Sequence, residues 1–307
     1  MSSSRRAMRS IRPRCYDPSR SGFPFPSIDV KFEFAGEAMY SAYYGFRAEP
    51  FNLTPDTRLL YFSRTHREAF DHLLFGIRQR KGFILLTGEV GSGKTTLCRA
   101  LLEHLEPRFK TALILNPSMT ATQLLRTIVT ELGLKPKRDR VHNMEMLNAF
   151  LLEQLSAGND VVVIIDEAQD LSPELLEEVR LLSNLETASR KLLQIVLVGQ
   201  PELRDMIDRK ELRQLRQRIT VRYHVQPLSF EEMRAYISHR LAACRGNGEP
   251  TFNWLALRAI YSYSGGIPRL VNAACDKLLL YGYVRGKHHF TGFQALRSIR
   301  ELEGRPT

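Results

Sequence analysis

The stretch "GEVGSGKT" at residues 88–95 decides the fold, because its spacing of glycines, lysine and threonine is that of a loop built around phosphate groups. It follows the apolar run "FILLT" (83–87) and opens the helical pattern "KTTLCRALLEHL" (94–105). The glycines allow a tight turn whose backbone N–H groups point inward, and the helix dipole adds positive potential there. Strand, glycine-rich turn and helix in this order predict a phosphate-binding loop.

The loop also supplies two side chains for chemistry. We expect Lys94 to place a mobile cation on the β- and γ-phosphates of a nucleoside triphosphate, and Thr95 to offer a hydroxyl ligand to Mg²⁺. The predicted nucleotide-binding residues are Gly88, Glu89, Val90, Gly91, Ser92, Gly93, Lys94, Thr95 and Thr96.

A second motif, "VVVIIDEAQ" (161–169), lies at the end of another apolar run. Asp166 and Glu167 follow five β-branched residues, and ligands of open α/β sheets bind beyond the carboxyl ends of such strands. We expect Asp166 to hold Mg²⁺ through water and Glu167 to orient and polarise an attacking water. Two solvated acids at a strand end are the alternative. Binding alone needs Asp166 but not Glu167, so the pair favours catalysis.

The organisation of the chain follows from how apolar runs alternate with helical patterns after residue 83. Such alternation predicts parallel strands joined by crossover helices. After residue 228 only helical patterns remain, the first with a capping box from Ser229 to Glu232. The sequence thus predicts an α/β core with a five-stranded parallel sheet flanked by helices (39–227), and a small all-helical C-terminal domain (228–307). The strand candidates are 83–87, 111–115, 161–165, 193–198 and 219–225.

The charge of the chain is +11. Residues 1–38 are rich in Arg, Ser and Pro without sustained periodicity, which predicts a disordered extension. They hold seven basic and four acidic residues, so the rest of the chain keeps a charge of +8. A basic balance is compatible with nucleic acid or anionic surfaces, but it concerns association rather than fold.

Cysteine usage and hydropathy indicate the compartment. Four cysteines, at positions 15, 98, 244 and 275, lie far apart and form no metal-ligand or redox spacing, which favours reduced thiols in the cytoplasm. The longest apolar runs fall far short of the ~18 residues that span a bilayer, so no transmembrane segment is expected.

Further motifs resemble the AAA+ ATPases, a family with a phosphate-loop α/β core and a helical lid. "GGIPRLVN" (265–272) looks like the sensor-2 motif, whose arginine, here Arg269, reaches the γ-phosphate of its own subunit. "LVGQPEL" (197–203) occupies the sensor-1 position, and Gln200 is the candidate there for positioning the water.

The resemblance narrows to one branch of this family. Residues 39–105 closely resemble the ExeA (general secretion pathway protein A) branch, and "IDEAQDLSPELLEEVRLLSNLET" (165–187) strengthens the match, which extends over essentially all of 39–303. It implies ATP as the nucleotide, Mg²⁺ as its partner, and ATP-dependent assembly of the chain with itself. It also implies that the segment before the phosphate loop packs against adenine, which points to Phe46 and Phe51. The alternative for these aromatic residues is a place in the core.

The stretch "ELRQLRQRI" (211–219) carries three arginines. In the AAA+ resemblance this position faces the nucleotide of the neighbouring subunit, where an arginine inserted in trans neutralises charge on the γ-phosphoryl group. Arg218 is the first candidate and Arg216 the second. The alternatives are a solvated face paired with acids such as Glu211, or a strip that contacts DNA.

Two functional classes therefore remain. The first is an ATPase that drives assembly or remodelling of secretion or envelope machinery, located in the cytoplasm or peripheral to the inner membrane. The second is an ATP-dependent DNA-binding transposition regulator of the TniB and TnsC type, slightly favoured by the +8 charge. A nucleotide-binding protein without turnover is a third reading, which Glu167 disfavours.

Overall fold

The structure is a computed structural model that describes residues 40–304, apart from Pro55, Asn116, 188–189 and 246–249. The extension for which disorder is predicted, residues 1–38 with Cys15, lies outside the described residues. Within the described part, none of the helices has the length and apolar character needed to cross a bilayer.

A five-stranded sheet in the order β2-β3-β4-β1-β5 forms the centre, and every neighbouring pair of strands is parallel. The predicted five-stranded parallel sheet is confirmed. Its strands are β1 Phe83–Gly88, β2 Phe109–Ile114, β3 Asp160–Ile165, β4 Leu193–Gly199 and β5 Ile219–Val225.

Helices cover both faces of this sheet because successive side chains of a strand point to opposite sides. In β3, Val161 and Val163 join an apolar cluster with the helices between residues 121 and 218, whereas Val162 and Ile164 join a second cluster with the helices between residues 64 and 104. The helices of the core are α1 Ser41–Tyr44, α2 Arg64–Arg78, α3 Lys94–His104, α4 Ala121–Glu131, α5 Arg140–Ser156, α6 Pro173–Leu182, α7 Pro201–Ile207 and α8 Arg213–Arg218.

The C-terminal part is helical, as predicted, and its first helix begins with the expected capping box between Ser229 and Glu232. One detail corrects the expectation of an all-helical domain. Two strands of two residues each pair in parallel, and the backbone N–H of Asn253 donates to Phe290 O at 3.0 Å beside this pair. The pairing fixes the start of the helix Trp254–Ser264, since Asn253 is the N-cap of that helix. The elements are α9 Phe230–Ala243, β6 Thr251–Phe252, α10 Trp254–Ser264, α11 Pro268–Arg285, β7 His289–Phe290 and α12 Gly292–Leu302.

The segment at residues 40–59 packs with these C-terminal helices in a third apolar cluster. The ring of Tyr44 is fully buried, and its hydroxyl lies 3.0 Å from Leu279 O and 2.9 Å from Lys287 O. The start of the described chain therefore shares a core with its end. The division of domains at residue 227/228 stays a prediction.

A close approach between two turns gives a stability test. Gly265 and Gly266 both have positive φ angles, 56° and 81°. A Cβ on Gly266 would lie 1.9 Å from Leu228 O, whereas one on Gly265 would meet nothing within 4 Å. We expect Gly265→Ala to lose about 1–2 kcal/mol of unfolding free energy from left-handed strain. Gly266→Ala should lose about 1–3 kcal/mol more, because the backbone of Leu228 has to move. Urea unfolding of both variants measures the difference, and equal losses would contradict the close approach.

Candidate active site

The loop between β1 and α3 takes a conformation that only glycine adopts without strain at two positions. Gly91 and Gly93 have φ angles of 76° and 94°. Both are also tightly surrounded, since a Cβ on Gly91 would lie 2.4 Å from Arg269 Cβ and one on Gly93 3.1 Å from His66 Nε2. The glycine spacing seen in the sequence thus serves both the turn and its packing.

Lys94 opens α3 and is almost completely buried. Its ammonium group donates hydrogen bonds to Gly88 O at 2.8 Å and to Glu89 O at 2.9 Å, so it lies back over the loop. Burial lowers the pKa of Lys94, while the carboxylates of Glu167 and Asp166 act in the opposite direction. The loop thus holds a partly desolvated cation at a position that favours binding of an anion.

Thr95 and Asp166 join the loop to the end of β3. The Thr95 hydroxyl donates to Asp166 Oδ2 at 2.5 Å, and the backbone N–H of Glu167 donates to Asp166 Oδ1 at 2.9 Å. Burial raises the pKa of Asp166, against the lowering effect of these two hydrogen bonds. A hydroxyl and a carboxylate thus lie in direct contact at the carboxyl edge of the sheet.

Glu167 has a left-handed backbone with a φ angle of 52°, which is uncommon for a residue with a side chain. Its carboxylate accepts hydrogen bonds at Oε2 from the side-chain amides of Gln169, at 2.8 Å, and Gln200, at 3.3 Å. Gln169 also accepts a bond from the backbone N–H of Gln200 at 3.0 Å. The two amides therefore fix the carboxylate between the ends of β3 and β4.

A cavity of about 320 Å³ opens beside these groups. Helix α11 reaches it at its N-terminus, where the backbone N–H of Arg269 donates to Gly91 O at 3.2 Å. Its lining comes from four regions: the segment before α2 with His66, the phosphate loop with α3, Glu167, and the C-terminal helices. These residues are Asn52, Leu53, Thr54, Asp56, Leu59, Leu60, Tyr61, His66, Val90, Gly91, Gly93, Lys94, Thr95, Thr96, Glu167, Leu228, Tyr236, Arg240, Pro268, Arg269 and Asn272.

Most of the predicted site residues come together here, and some do so without lining the cavity. Asp166 and Gln200 lie behind Thr95 and Glu167, to which they are hydrogen-bonded. Gly88, Glu89 and Ser92 belong to the loop but are outside the lining. The structure thus assembles the groups, while the chemical role of each stays a prediction.

Phe46 and Phe51 are placed differently from the expectation that they contact adenine. Both are buried in the cluster that joins the N-terminal segment to the C-terminal helices, and neither lines the cavity. Their rings are excluded because an apolar core is available directly behind the segment. Asn52 and Leu53, which follow directly in the chain, line the cavity instead.

The arginines of α8 lie outside the cavity of their own chain. Arg218 donates to the Ser183 hydroxyl at 2.5 Å, at the end of α6, and is half-buried. Arg216 is exposed and makes a long contact of 3.5 Å with Asp208 O. In this conformation, therefore, the side chains of both arginines are engaged outside the nucleotide cavity of their own chain.

Two residues that support the site are not among the predicted site residues. His66 is buried, and its Nε2 lies 2.8 Å from Ser92 O while Nδ1 lies 2.6 Å from the Ser63 hydroxyl. Because Ser92 O can only accept, the hydrogen bonds assign the proton to Nε2, and burial lowers the pKa of His66. Gln169 is the second such residue, although its place three residues after Asp166 was a usable signal.

No group of three or more metal-ligating His, Cys, Asp or Glu side chains occurs within the described ranges. The oxygens of Thr95 and Asp166 nevertheless fit Mg²⁺, which takes hard oxygen ligands and usually only one or two from the protein, the rest being water and phosphate. A closed protein cage is not required for that ion.

Comparison with known proteins agrees with this geometry. A family model described as an AAA domain matches residues 77–207. The chain is 46% identical over 268 residues to General secretion pathway protein A of Aeromonas hydrophila, an alignment that covers 87% of this chain and 49% of that protein. The chain thus spans about half the length of this relative.

Solved structures share the fold at low sequence identity. The Aeropyrum pernix ORC2 protein has a TM-score of 0.60 at 17% identity, covering 79% of this chain and 68% of that chain. A structure of Drosophila ORC bound to DNA has a TM-score of 0.66 at 17% identity, covering 91% and 71%. Domain III of the Thermotoga maritima DnaA protein has a TM-score of 0.53 at 18% identity, covering 81% and 98%. These likenesses concern the fold alone.

The buried carboxylate of Asp166 gives a pH-dependent prediction. Its pKa in the folded chain is raised, so its burial destabilises the ligand-free protein once the pH exceeds the unfolded value of about 3.9. We expect Asp166→Asn to raise the melting temperature by a few degrees at pH 7 without Mg²⁺, with the gain fading as the pH falls toward 4.

The exposed Asp139 provides the matched control for this measurement. It caps α5, and the backbone N–H of His142 lowers its pKa, so Asp139→Asn should not raise the melting temperature. A lower melting temperature for Asp166→Asn at pH 7 would mean that the hydrogen bonds from Thr95 and Glu167 outweigh the desolvation of Asp166.

Proposed function

The chain is an AAA+ ATPase, and most of this chain aligns with General secretion pathway protein A. On this premise we propose that the chain binds Mg·ATP in the cavity and hydrolyses ATP at an interface between two of its own copies. The observation that carries the proposal is the meeting of Lys94, Thr95, Asp166 and Glu167 at one edge of the sheet. A cation, a hydroxyl and two carboxylates in this arrangement match the demands of phosphoryl transfer.

The triphosphate is held by the loop and by Lys94 in this proposal. Inward-pointing backbone N–H groups and the start of α3 bind the phosphate oxygens. The ammonium of Lys94 exchanges the carbonyls of Gly88 and Glu89 for the β- and γ-phosphates. Thr95, directly, and Asp166, through water, would hold Mg²⁺, which would supply positive charge to neutralise the phosphates.

Glu167 orients the attacking water. Its carboxylate is already fixed by Gln169 and Gln200, so little reorganisation is needed when the water arrives. Gln200 keeps the water-positioning role expected of the sensor-1 position, acting beside Glu167. Arg269, whose backbone touches Gly91, contacts the γ-phosphate of the same chain and reports its presence to the C-terminal helices.

The nucleoside lies at the other end of the cavity. Leu53, Leu59, Leu60 and Leu228 contribute apolar lining to the cavity, and a base can pack on these side chains. This assignment moves the contact with the base from Phe46 and Phe51 to these leucines.

Catalysis is completed by a second copy of the chain. Arg218, or Arg216, supplies charge in trans to the γ-phosphoryl group of the neighbour, since neither lines the cavity of its own chain.

The assembled ATPase acts in the cytoplasm on secretion or envelope machinery, which the name of the Aeromonas hydrophila relative supports. DNA is the alternative partner, favoured by the exposed cations Lys135, Lys137 and Arg138, which have no carboxylate within ion-pair distance among the described residues.

Glu167→Gln separates binding from turnover. We expect ATP affinity to stay within about twofold of the wild type, because the phosphate loop is unchanged, and turnover to fall about a hundredfold or more. Lys94→Ala should instead lose ATP binding, and Glu174→Gln, an exposed acid on α6, should change neither. Fluorescent ATP titration and phosphate release measure the two quantities. Wild-type turnover in Glu167→Gln would assign water activation to another group.

Mixing two inactive variants tests whether an arginine acts in trans. Arg218→Ala should keep its ATP affinity and lose turnover by about a thousandfold. Mixed with Glu167→Gln protein, it should regain turnover at intermediate ratios, because an interface can then pair an intact Glu167 with an intact arginine.

The matched control for this mixture is Arg213→Ala, an exposed arginine at the start of the same helix. It should turn over ATP normally. Normal turnover of Arg218→Ala and Arg216→Ala without DNA would favour a solvated face or a DNA contact. Loss of turnover without recovery in any mixture would place the arginine in the site of its own chain.

A further inference from the structure

Arg240 on α9 is a buried cation in the wall of the cavity, and the proposed hydrolysis does not use it. Its guanidinium donates from Nε to Pro50 O, from Nη1 to the Tyr236 hydroxyl at 2.8 Å and from Nη2 to Asn52 O at 3.4 Å. Only 7% of the residue is exposed. In the part of the chain that the structure describes, no carboxylate lies within ion-pair distance of it, and Asp56 in the same wall is engaged by Arg58.

Such an environment is costly for a charge. A guanidinium stays protonated in proteins, and burying it against neutral hydrogen-bond partners loses hydration. The nearby Asp56 carboxylate, whose pKa is lowered mainly by Arg58 and to a smaller extent by Arg240, offsets this loss only in part, because it is not in direct contact with Arg240. An apolar side chain of similar length would fill the space at lower cost. What Arg240 alone provides is its planar fork, which reaches two carbonyls two residues apart and so fixes the path of the backbone between them.

That backbone leads directly into the cavity. We call residues 52–54 and 56–61 the strap, since they connect the segment packed on the C-terminal helices to α2 and most of them line the cavity. Asn52 O, at the start of the strap, receives bonds from Arg240 and from the Asn272 side chain, which is itself bonded to Tyr236 at 2.7 Å. The strap is thus tied to α9 and α11 at its first residue.

The chain before the strap is held to the same helices. The backbone N–H of Arg47 donates to Cys244 O at 2.9 Å, and the Tyr40 hydroxyl donates to the Asp276 carboxylate. These bonds hold residues 40–47 without Arg240, and Phe51 is buried in the apolar cluster that joins this segment to the C-terminal helices. Losing Arg240 therefore frees the first residues of the strap rather than the whole segment.

We propose that Arg240 is a positioning residue for the nucleoside half of ATP: it holds Pro50 and Asn52 so that the strap forms the wall against base and ribose. Arg240 contributes nothing to binding of the triphosphate, which rests on Lys94 and the phosphate loop. The inference depends on the proposed function, because it needs a nucleotide in this cavity.

Two ligands distinguish binding by the strap from binding by the phosphate loop. ATP touches both the strap and the phosphate loop, whereas inorganic tripolyphosphate touches only the loop. Calorimetric titration of the full chain with each ligand, in the presence of Mg²⁺, measures their dissociation constants. Arg240→Met should weaken ATP binding about tenfold to a hundredfold, because bonds from a charged donor to two carbonyls are lost, and leave tripolyphosphate binding within about twofold.

Two further variants keep the test informative. Arg240→Lys retains the charge but cannot span both carbonyls, so its ATP affinity should lie between those of the wild type and Arg240→Met. If the methionine variant does not fold, the comparison of ATP with tripolyphosphate is made with the lysine variant. Arg234→Met removes an arginine from the exposed face of the same helix, where it pairs with Glu231, and should change neither affinity. For the lysine variant, the Michaelis constant for ATP should rise while turnover at saturating ATP stays within about twofold.

Several outcomes overturn the inference. Equal losses for ATP and tripolyphosphate would assign Arg240 a general structural role, as would a lower melting temperature with both affinities unchanged. Unchanged ATP affinity in Arg240→Met would also reject it. A wild-type chain that binds neither ligand would reject the proposed function itself, and the role of Arg240 with it.

Discussion

The parallel direction of β1, β3 and β4 is the constraint on which the site depends. Because the three strands run the same way, their carboxyl ends meet at one edge of the sheet, with β4 between the other two. The phosphate loop, Asp166 and Gln200 follow directly from these ends. The 2.5 Å hydrogen bond from Thr95 to Asp166 then closes the gap across β4. Without this alignment, the loop and the acid pair would be two unrelated surface features.

The same edge gathers charges that burial disfavours. Burial lowers the pKa of Lys94 and raises that of Asp166, so each ionised form is less favourable than in water. A bound phosphate chain and a divalent cation, as proposed for this site, would supply the opposite charges and compensate both groups. Glu167 adds backbone strain at the same place. The ligand-free site is thus a locally costly arrangement whose groups are set for a charged ligand.

The C-terminal helices and the N-terminal segment act as one packed unit against the cavity. Tyr44 and Phe51 bury their rings among residues of α9 to α11, while Arg240 and Asn272 of that unit hold the start of the strap. Arg269 of α11 touches the phosphate loop through Gly91. A nucleotide in the cavity would therefore contact the sheet and this unit together. That link gives a physical route by which hydrolysis can move the helices that a partner would sense.

The sequence by itself determined the elements of the α/β core and the central residues of the site, but not the short strand pair β6–β7. Five strands, the helices between them and the loop at 88–95 are encoded by local periodicity and contiguous motifs, and the parallel-sheet rule then brings Asp166 and Glu167 to Lys94. Tertiary structure alone decided the rest. It placed Phe46 and Phe51 in the core, while Asn52 and Leu53 line the cavity. It also brought His66 to the carbonyl of Ser92 and Arg240 to the start of the strap. It also decided that Gly266 meets Leu228 and that Gln169 links Glu167 to β4. These contacts join residues that local patterns do not relate, because they depend on how side chains of different elements fill the space between them.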